Sequence, residues 1–307
     1  MRAPWILASF CAFACFSGAT TQACSASSGE EIIAPNAGGG AGAAGSAGSA
    51  GSAGSAGGAS GLDGGILIDS APDPDAAPPP LESEVFGHSS SMLYKLDPKT
   101  KAVSIVGKFS GCTDVIDIAL DKDSKLYATT FDGLFTINKQ NAACSKVSSG
   151  SYPNSLSFVP QGTVDADEEA LVGYLGADYV RIDKTTGKVT TIGGLTGGYQ
   201  SSGDIVSVQG GATYLTVKGG NCGDCLFEVN PKTGDMVKNW GDVGYGSVFG
   251  LAFWAGSVYG FSDDGDLFEI TFDGGTLKTA VIPTGGPSNL SFWGAGSTTS
   301  APLTPVY

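Results

Sequence analysis

Histidine is almost missing. His88 is the only one in 307 residues. That count excludes a His-rich metal centre, and any Ser-His-Asp site would have to use this one imidazole. No nucleophile-elbow motif accompanies it. His88 closes the run Val85-Phe-Gly-His88 and reads as a strand-end side chain. Basic residues are also scarce, 16 Lys and Arg against 30 Asp and Glu, for a net charge of −14. Eight acids and Arg2 precede residue 85, which leaves 22 acids against 15 bases in the remainder. No basic patch or basic/aromatic stripe exists, which argues against a nucleic-acid partner. Long helical periodicity is absent throughout, so the folded part has to be built from strands.

What is present is a recurring phrase. Its fullest form is LFEVNPKTG from Leu226, with relatives at Leu93 (LYKLDPKTK), Leu134 (LFTINKQNA), Tyr179 (YVRIDKTTG) and Leu267 (LFEITFDGG). The copies stand 41, 45, 47 and 41 residues apart, a spacing that marks a repeat architecture. Within each copy apolar and polar residues alternate, as Phe227 and Val229 do with Glu228 and Asn230, so one face is buried. Asp or Asn then leads into turn chemistry. A second strand precedes each phrase, at Val85, Leu126, Leu171, Tyr214 and Val258. A small-residue strand precedes that, at Ile118-Ala119, Leu156-Ser157, Ile205-Val206, Leu251-Ala252 and Leu290-Ser291. Four strands in about 44 residues is the size of a propeller blade. The first blade lacks an inner strand, and the last inner strand, Asn289 to Trp293, has no successors. Joining them gives five complete blades and removes a free sheet edge. The expected fold is therefore all-β, a five-bladed β-propeller over residues 85–307.

The N-terminus reads differently. Met1-Arg2 carries one positive charge, Pro4 to Phe16 is nearly all apolar, and small residues follow to Ala23. Residues 1–23 form a secretory signal peptide, too short to span a bilayer. Thr21-Gln22-Ala23-Cys24 resembles the lipobox of bacterial lipoproteins, which implies lipidation of Cys24. It departs from that pattern at Thr21, where a Leu-like residue is usual, and Thr21 and Ala23 also suit ordinary cleavage. Residues 24–84 are Gly/Ala/Ser-rich and then Pro-rich, without apolar periodicity, and read as a disordered tether. About 60 such residues reach ~40–45 Å on average. By resemblance to Gram-negative lipoproteins, Ser25 after Cys24 implies the outer membrane. The chain is expected to be exported, to meet the membrane by a lipid anchor only, and to be a monomer.

Of seven cysteines, Cys11 and Cys15 leave with the signal peptide. Cys112, Cys144, Cys222 and Cys225 remain, an even number that suggests disulfides in an exported domain. Cys222-Gly-Asp-Cys225 lacks the βαβ setting of a redox motif and reads as a staple in an insertion. Cys112–Cys144 follows only by elimination. The strand map puts the two at opposite ends of a blade, whereas a disulfide needs Cα atoms within about 7 Å.

Chemistry has few candidates. Several five-bladed propellers are glycosidases, which carry their paired acids on inner strands around the axis. The residues just ahead of the inner-strand hydrophobics are Asp117, Ser155, Asp204, Gly250 and Asn289. Asp117, Ser155, Asp204 and Asn289 are the candidate axial binding residues. Glu228 and Glu269 alternate onto the solvent face. No catalytic set and no metal ligands are assigned. Calcium is the one cofactor with candidate loops, Asp165 to Glu169 and Asp263 to Asp266, and neither has EF-hand spacing. Trp254, Trp293, Phe253 and Phe292 either pack between blades or line a pocket.

Over about residues 85–293 the LYKLDPKTK, YVRIDKTTG and LFEVNPKTG units resemble those of secreted bacterial β-propellers of the NHL-like and YVTN-like kind. The resemblance implies a propeller and is silent about substrate. The expected function is a non-catalytic module that binds a protein or glycan on a propeller face. The alternative is an extracytoplasmic carbohydrate hydrolase using Asp117 and Asp204.

Overall fold

A strand with one buried face needs a partner beside it, and the repeated phrase supplies the turn. In the computed structural model, which describes residues 83–305, four copies fold alike. The side-chain oxygen of Asp97, Asn138, Asp183 or Asn230 accepts the N–H two residues on, at 2.8, 2.9, 2.9 and 2.9 Å. The carbonyl of the same residue accepts the N–H of Lys101, Ala142, Gly187 or Gly234. Those four residues take left-handed φ values of 62°, 58°, 72° and 73°. Glycine suits that position best, because it has no Cβ to clash with the backbone. The fifth copy makes the turn with Gly274 and Gly275, also left-handed.

Every regular element among the described residues is a strand. The strands are β1 (Val85–His88), β2 (Met92–Leu96), β3 (Val103–Lys108), β4 (Val115–Leu120), β5 (Leu126–Thr130), β6 (Gly133–Ile137) and β7 (Cys144–Ser149). Then come β8 (Leu156–Val159), β9 (Ala170–Leu175), β10 (Asp178–Ile182), β11 (Val189–Gly194), β12 (Gln200–Ser207), β13 (Thr213–Gly219) and β14 (Cys222–Val229). The last are β15 (Met236–Asp242), β16 (Val248–Trp254), β17 (Ser257–Ser262), β18 (Leu267–Asp273), β19 (Thr276–Val281) and β20 (Gly294–Ser297). They form five antiparallel four-stranded sheets, β20-β1-β2-β3, β4 to β7, β8 to β11, β12 to β15 and β16 to β19. This is a five-bladed β-propeller. Inner strands run from an upper face to a lower face. The chain joins β1 from the lower side at Glu84.

The ring closes through β20, not through Asn289 to Trp293 as the sequence pattern suggests. Val85 pairs with Ser297 and His88 with Gly294. The reason is space. A Cβ on Gly294 would lie 2.4 Å from both Asp117 Oδ1 and His88 Nε2, and one on Gly296 would lie 2.9 Å from the Ile118 carbonyl. Only a Gly-Ala-Gly-Ser strand passes there. Phe292 instead packs between Tyr94 and Phe261, at ring-centroid distances of 5.7 and 5.2 Å. Asn289 is exposed, with φ of 63°.

Blade twist explains the first disulfide. Strands twist by about 20–25° each, so across four strands the outermost swings well away from the axis direction. The upper end of one blade's outer strand then lands beside the lower turn of the next blade. Gly194 N donates to Thr233 O at 3.0 Å in this way, and Tyr179 Oη donates to Pro231 O at 2.8 Å. The segment after β3 does the same with blade 2. Ser110 N donates to Ala142 O and Cys144 N to Ser110 O, at 3.2 and 2.7 Å. Cys112 and Cys144 are thereby brought to a Cα separation of 5.7 Å and are bonded. A flat blade would keep them apart, which is why the strand map alone sets them at opposite ends. Cys222 and Cys225 also pair, at a Cα separation of 5.3 Å. Their insertion is a strand extension: β13 and β14 lengthen the hairpin, with Val217 facing Cys225 and Gly219 facing Cys222. Two disulfides are those of an exported protein in an oxidising compartment.

The bridge between blades spans 32 residues and the local one spans 3. Replacing Cys112 and Cys144 with serine should lower stability by about 3–4 kcal/mol, and the Cys222/Cys225 replacement by less. Denaturant midpoints of the two double variants check this ordering.

Candidate functional site

Inner strands have no neighbour on their axial side, so their N–H groups there need acceptors from elsewhere. Asp117 of β4 supplies one. Its Oδ1 accepts Ile118 N at 2.8 Å, and its Oδ2 accepts Leu156 N of the next blade at 2.5 Å. Asp204 of β12 repeats the arrangement two blades on, taking Ile205 N at 2.6 Å and Leu251 N at 2.7 Å. Ser297 Oγ accepts Phe253 N at 2.9 Å and stitches the fifth blade to the first. Ser155 Oγ turns back to accept Tyr174 N at 2.9 Å. The structure therefore brings Asp117, Ser155 and Asp204 to the axis. The fifth place in the ring belongs to Gly294, and Asn289 lies outside it.

The two aspartates are fully buried, and each raises or lowers the other's titration across the axis. Like charges so placed disfavour double ionisation. Burial holds Asp117 well above the usual carboxylate range, with the charge of Asp204 adding to the effect. Burial pushes Asp204 up to about 8. His88 stands beside them, also fully buried. Its Nδ1 donates to Ser89 O at 2.9 Å, which leaves Nε2 as the acceptor nitrogen. Nε2 has no partner among the described residues and faces Asp117 Oδ1 across Gly294. Burial lowers the imidazole to about 4, so the ring is neutral.

The lower end of the axis is crossed by the segment after β20. Thr298 exchanges hydrogen bonds with Glu84, and Thr299 O accepts Gln209 N at 2.8 Å. Buried Glu169 accepts the Thr299 hydroxyl and also Lys122 N, the latter at 2.7 Å. Glu84 joins Lys95 at 2.7 Å and also contacts Lys139 and Ser124, which ties the start of the domain to blades 1 and 2. Sequence reasoning passes over Glu84 and takes Glu169 only as the end of an acidic loop, because their partners are far along the chain. Beside this crossing lies a cleft of about 900 Å³ with Trp254, at the end of β16, in its wall. Of the aromatics considered from sequence, Trp254 reaches a pocket, whereas Phe253 and Phe292 are buried between blades.

The acidic loops are engaged by the chain itself. Asp165 pairs with Arg181 at 2.6 Å and accepts Asp167 N at 3.0 Å, and Glu168 pairs with Lys184 at 2.7 Å. Asp263 accepts the Ser291 hydroxyl at 2.5 Å.

No family model and no curated protein matches the chain. Solved structures similar to it include the Kuenenia stuttgartiensis hydrazine synthase, at 14% identity over 66% of this chain and 64% of that one, with a TM-score of 0.39. The chain thus spans less than two thirds of that protein. A PQQ-bound aldose sugar dehydrogenase from Streptomyces coelicolor is 16% identical over 65% and 78%, with a TM-score of 0.41. A nidogen/laminin complex chain is 9% identical over 73% and 100%, with a TM-score of 0.45. At these identities and scores they carry nothing about activity or partner.

The axial groups set a pH dependence. From about pH 4 to about 8 the folded protein holds a carboxyl proton that the unfolded chain has released, so stability falls as pH rises through that window. His88 acts oppositely. Its folded value of about 4 lies below the ordinary 6.5, so its contribution is lost as pH falls from 6.5 towards 4. Between pH 6.5 and 8 the carboxyl slope stands alone, at about 1 kcal/mol per pH unit for each proton. Thermal unfolding should show a falling midpoint over that range. Asp204→Asn should flatten the fall while costing about 1–3 kcal/mol at pH 5, since an amide cannot accept both N–H groups.

Proposed function

We propose that this chain is an extracytoplasmic β-propeller lipoprotein, anchored to the outer membrane through Cys24, that binds a protein or glycan partner without catalysis. The signal peptide at 1–23, Cys24 and most of the 24–84 tether lie outside the described residues. They enter through the sequence pattern alone.

The observation that carries the non-catalytic reading is the complete burial of Asp117 and Asp204 and the use of their oxygens by backbone N–H groups. A retaining glycosidase holds its two acids about 5–5.5 Å apart, and an inverting one about 6.5–9.5 Å, with the sugar between them. Here both carboxyl groups are sealed from solvent, with no room for a sugar between them and water, and accept two backbone N–H groups each. Their chemistry is absorbed in holding neighbouring blades together. The solvated parts of the domain, its loops and turns on the two faces, remain for recognition.

The test is to incubate the full exported chain with envelope fractions and with an oligosaccharide panel, reading binding and substrate loss together. Saturable retention of a discrete component with every sugar recovered intact is expected. Steady consumption of one sugar, abolished in a folded Asp117→Asn, Asp204→Asn variant, would establish the hydrolase instead.

A further inference from the structure

We propose that the lower-face cleft walled by Trp254 is a binding site for a neutral oligosaccharide. This rests on reading the chain as a binding module, and it names the face and the ligand class.

The cleft encloses about 900 Å³, within the range of ligand sites and ample for several sugar rings. Its charges cancel. Lys95, Lys99 and Lys122 are matched by Glu84, Asp97 and Asp123. Two of these pairs are closed ion pairs, Lys95–Glu84 and Lys122–Asp123, both at 2.7 Å. Asp97 and Lys99 share one turn, where the carboxylate also accepts the Lys99 N–H. No net field remains to select an anion or a cation. What remains is one half-buried indole and a wall of mixed donors and acceptors, including Gln209, Ser104 and Ser300.

That set suits a ligand with an apolar face and many hydroxyls. The indole offers a flat apolar surface with one polar edge. The amide and hydroxyl groups around it both donate and accept, and the ammonium groups donate. A protein partner fits less well. Protein interfaces centre on several aromatic and Arg anchors. The domain's one arginine, Arg181, is paired with Asp165 elsewhere. The largest exposed apolar side chain, Phe131, lies in a turn on the opposite face.

The experiment titrates the full chain with neutral oligosaccharides (β-1,4-glucan, β-1,3-glucan, α-1,4-glucan and N-acetylglucosamine oligomers), reading tryptophan emission and calorimetric heat. One class should bind saturably and shift the emission. Trp254→Ala should weaken it at least tenfold, Trp254→Phe less, and Gln209→Ala several-fold without loss of fold. Phe131→Ser should leave it unchanged. Failure of every sugar to bind, or binding indifferent to both Trp254→Ala and Gln209→Ala, overturns the proposal. Capture of an envelope protein that survives Trp254→Ala and is lost in Phe131→Ser overturns the sugar site but keeps the binding module. Absence of any ligand in either arm removes both readings.

Discussion

The need of each inner strand for a hydrogen-bond acceptor on its axial side governs this domain. A propeller blade pairs its inner strand on one side only, and the other side looks into a crowded, water-poor axis. An unpaired N–H there would cost about 1–3 kcal/mol. Asp117 and Asp204 meet the need by accepting within their own blade and from the next one. Ser297 does so at the closing seam. The seam, the glycines that pass the carboxylates and the neutral imidazole all follow from placing two acids where little water reaches.

The same placement separates this axis from a catalytic one. Acids useful for glycoside chemistry need room between them and differing environments. Here burial holds both carboxyl groups protonated well above their usual range. On the proposed reading each carboxyl serves structure, and recognition falls to the faces. The lower face is crossed by the chain after β20 and knotted by Glu84 and Glu169. The adjoining cleft encloses about 900 Å³.

Much of the fold was legible in the sequence because its periodicities are local. Alternation within LFEVNPKTG identifies a strand, and Asn230 followed by Gly234 identifies its turn. Asp117 and Asp204 could be assigned to the axis from their place ahead of Ile118 and Ile205. Their bonds to the next blade could not, since these depend on how five blades close. Asn289 to Trp293 alternates as a strand should, yet it is Gly294 to Ser297 that fits beside Asp117 and His88. Steric room at the axis, and not hydrophobic pattern, selects that strand.

By itself the sequence determined the blade count, through five copies of one unit, and the strand order of blades 2 to 5 and the turn chemistry, because these are encoded within about 45 contiguous residues. The tertiary structure alone decided three things: that Cys112 meets Cys144, that Asp117 and Asp204 each take an N–H from the next blade, and that Trp254 opens onto a cleft. Each of these joins separate blades, and blade twist and ring closure set such distances without leaving a periodic mark on the chain.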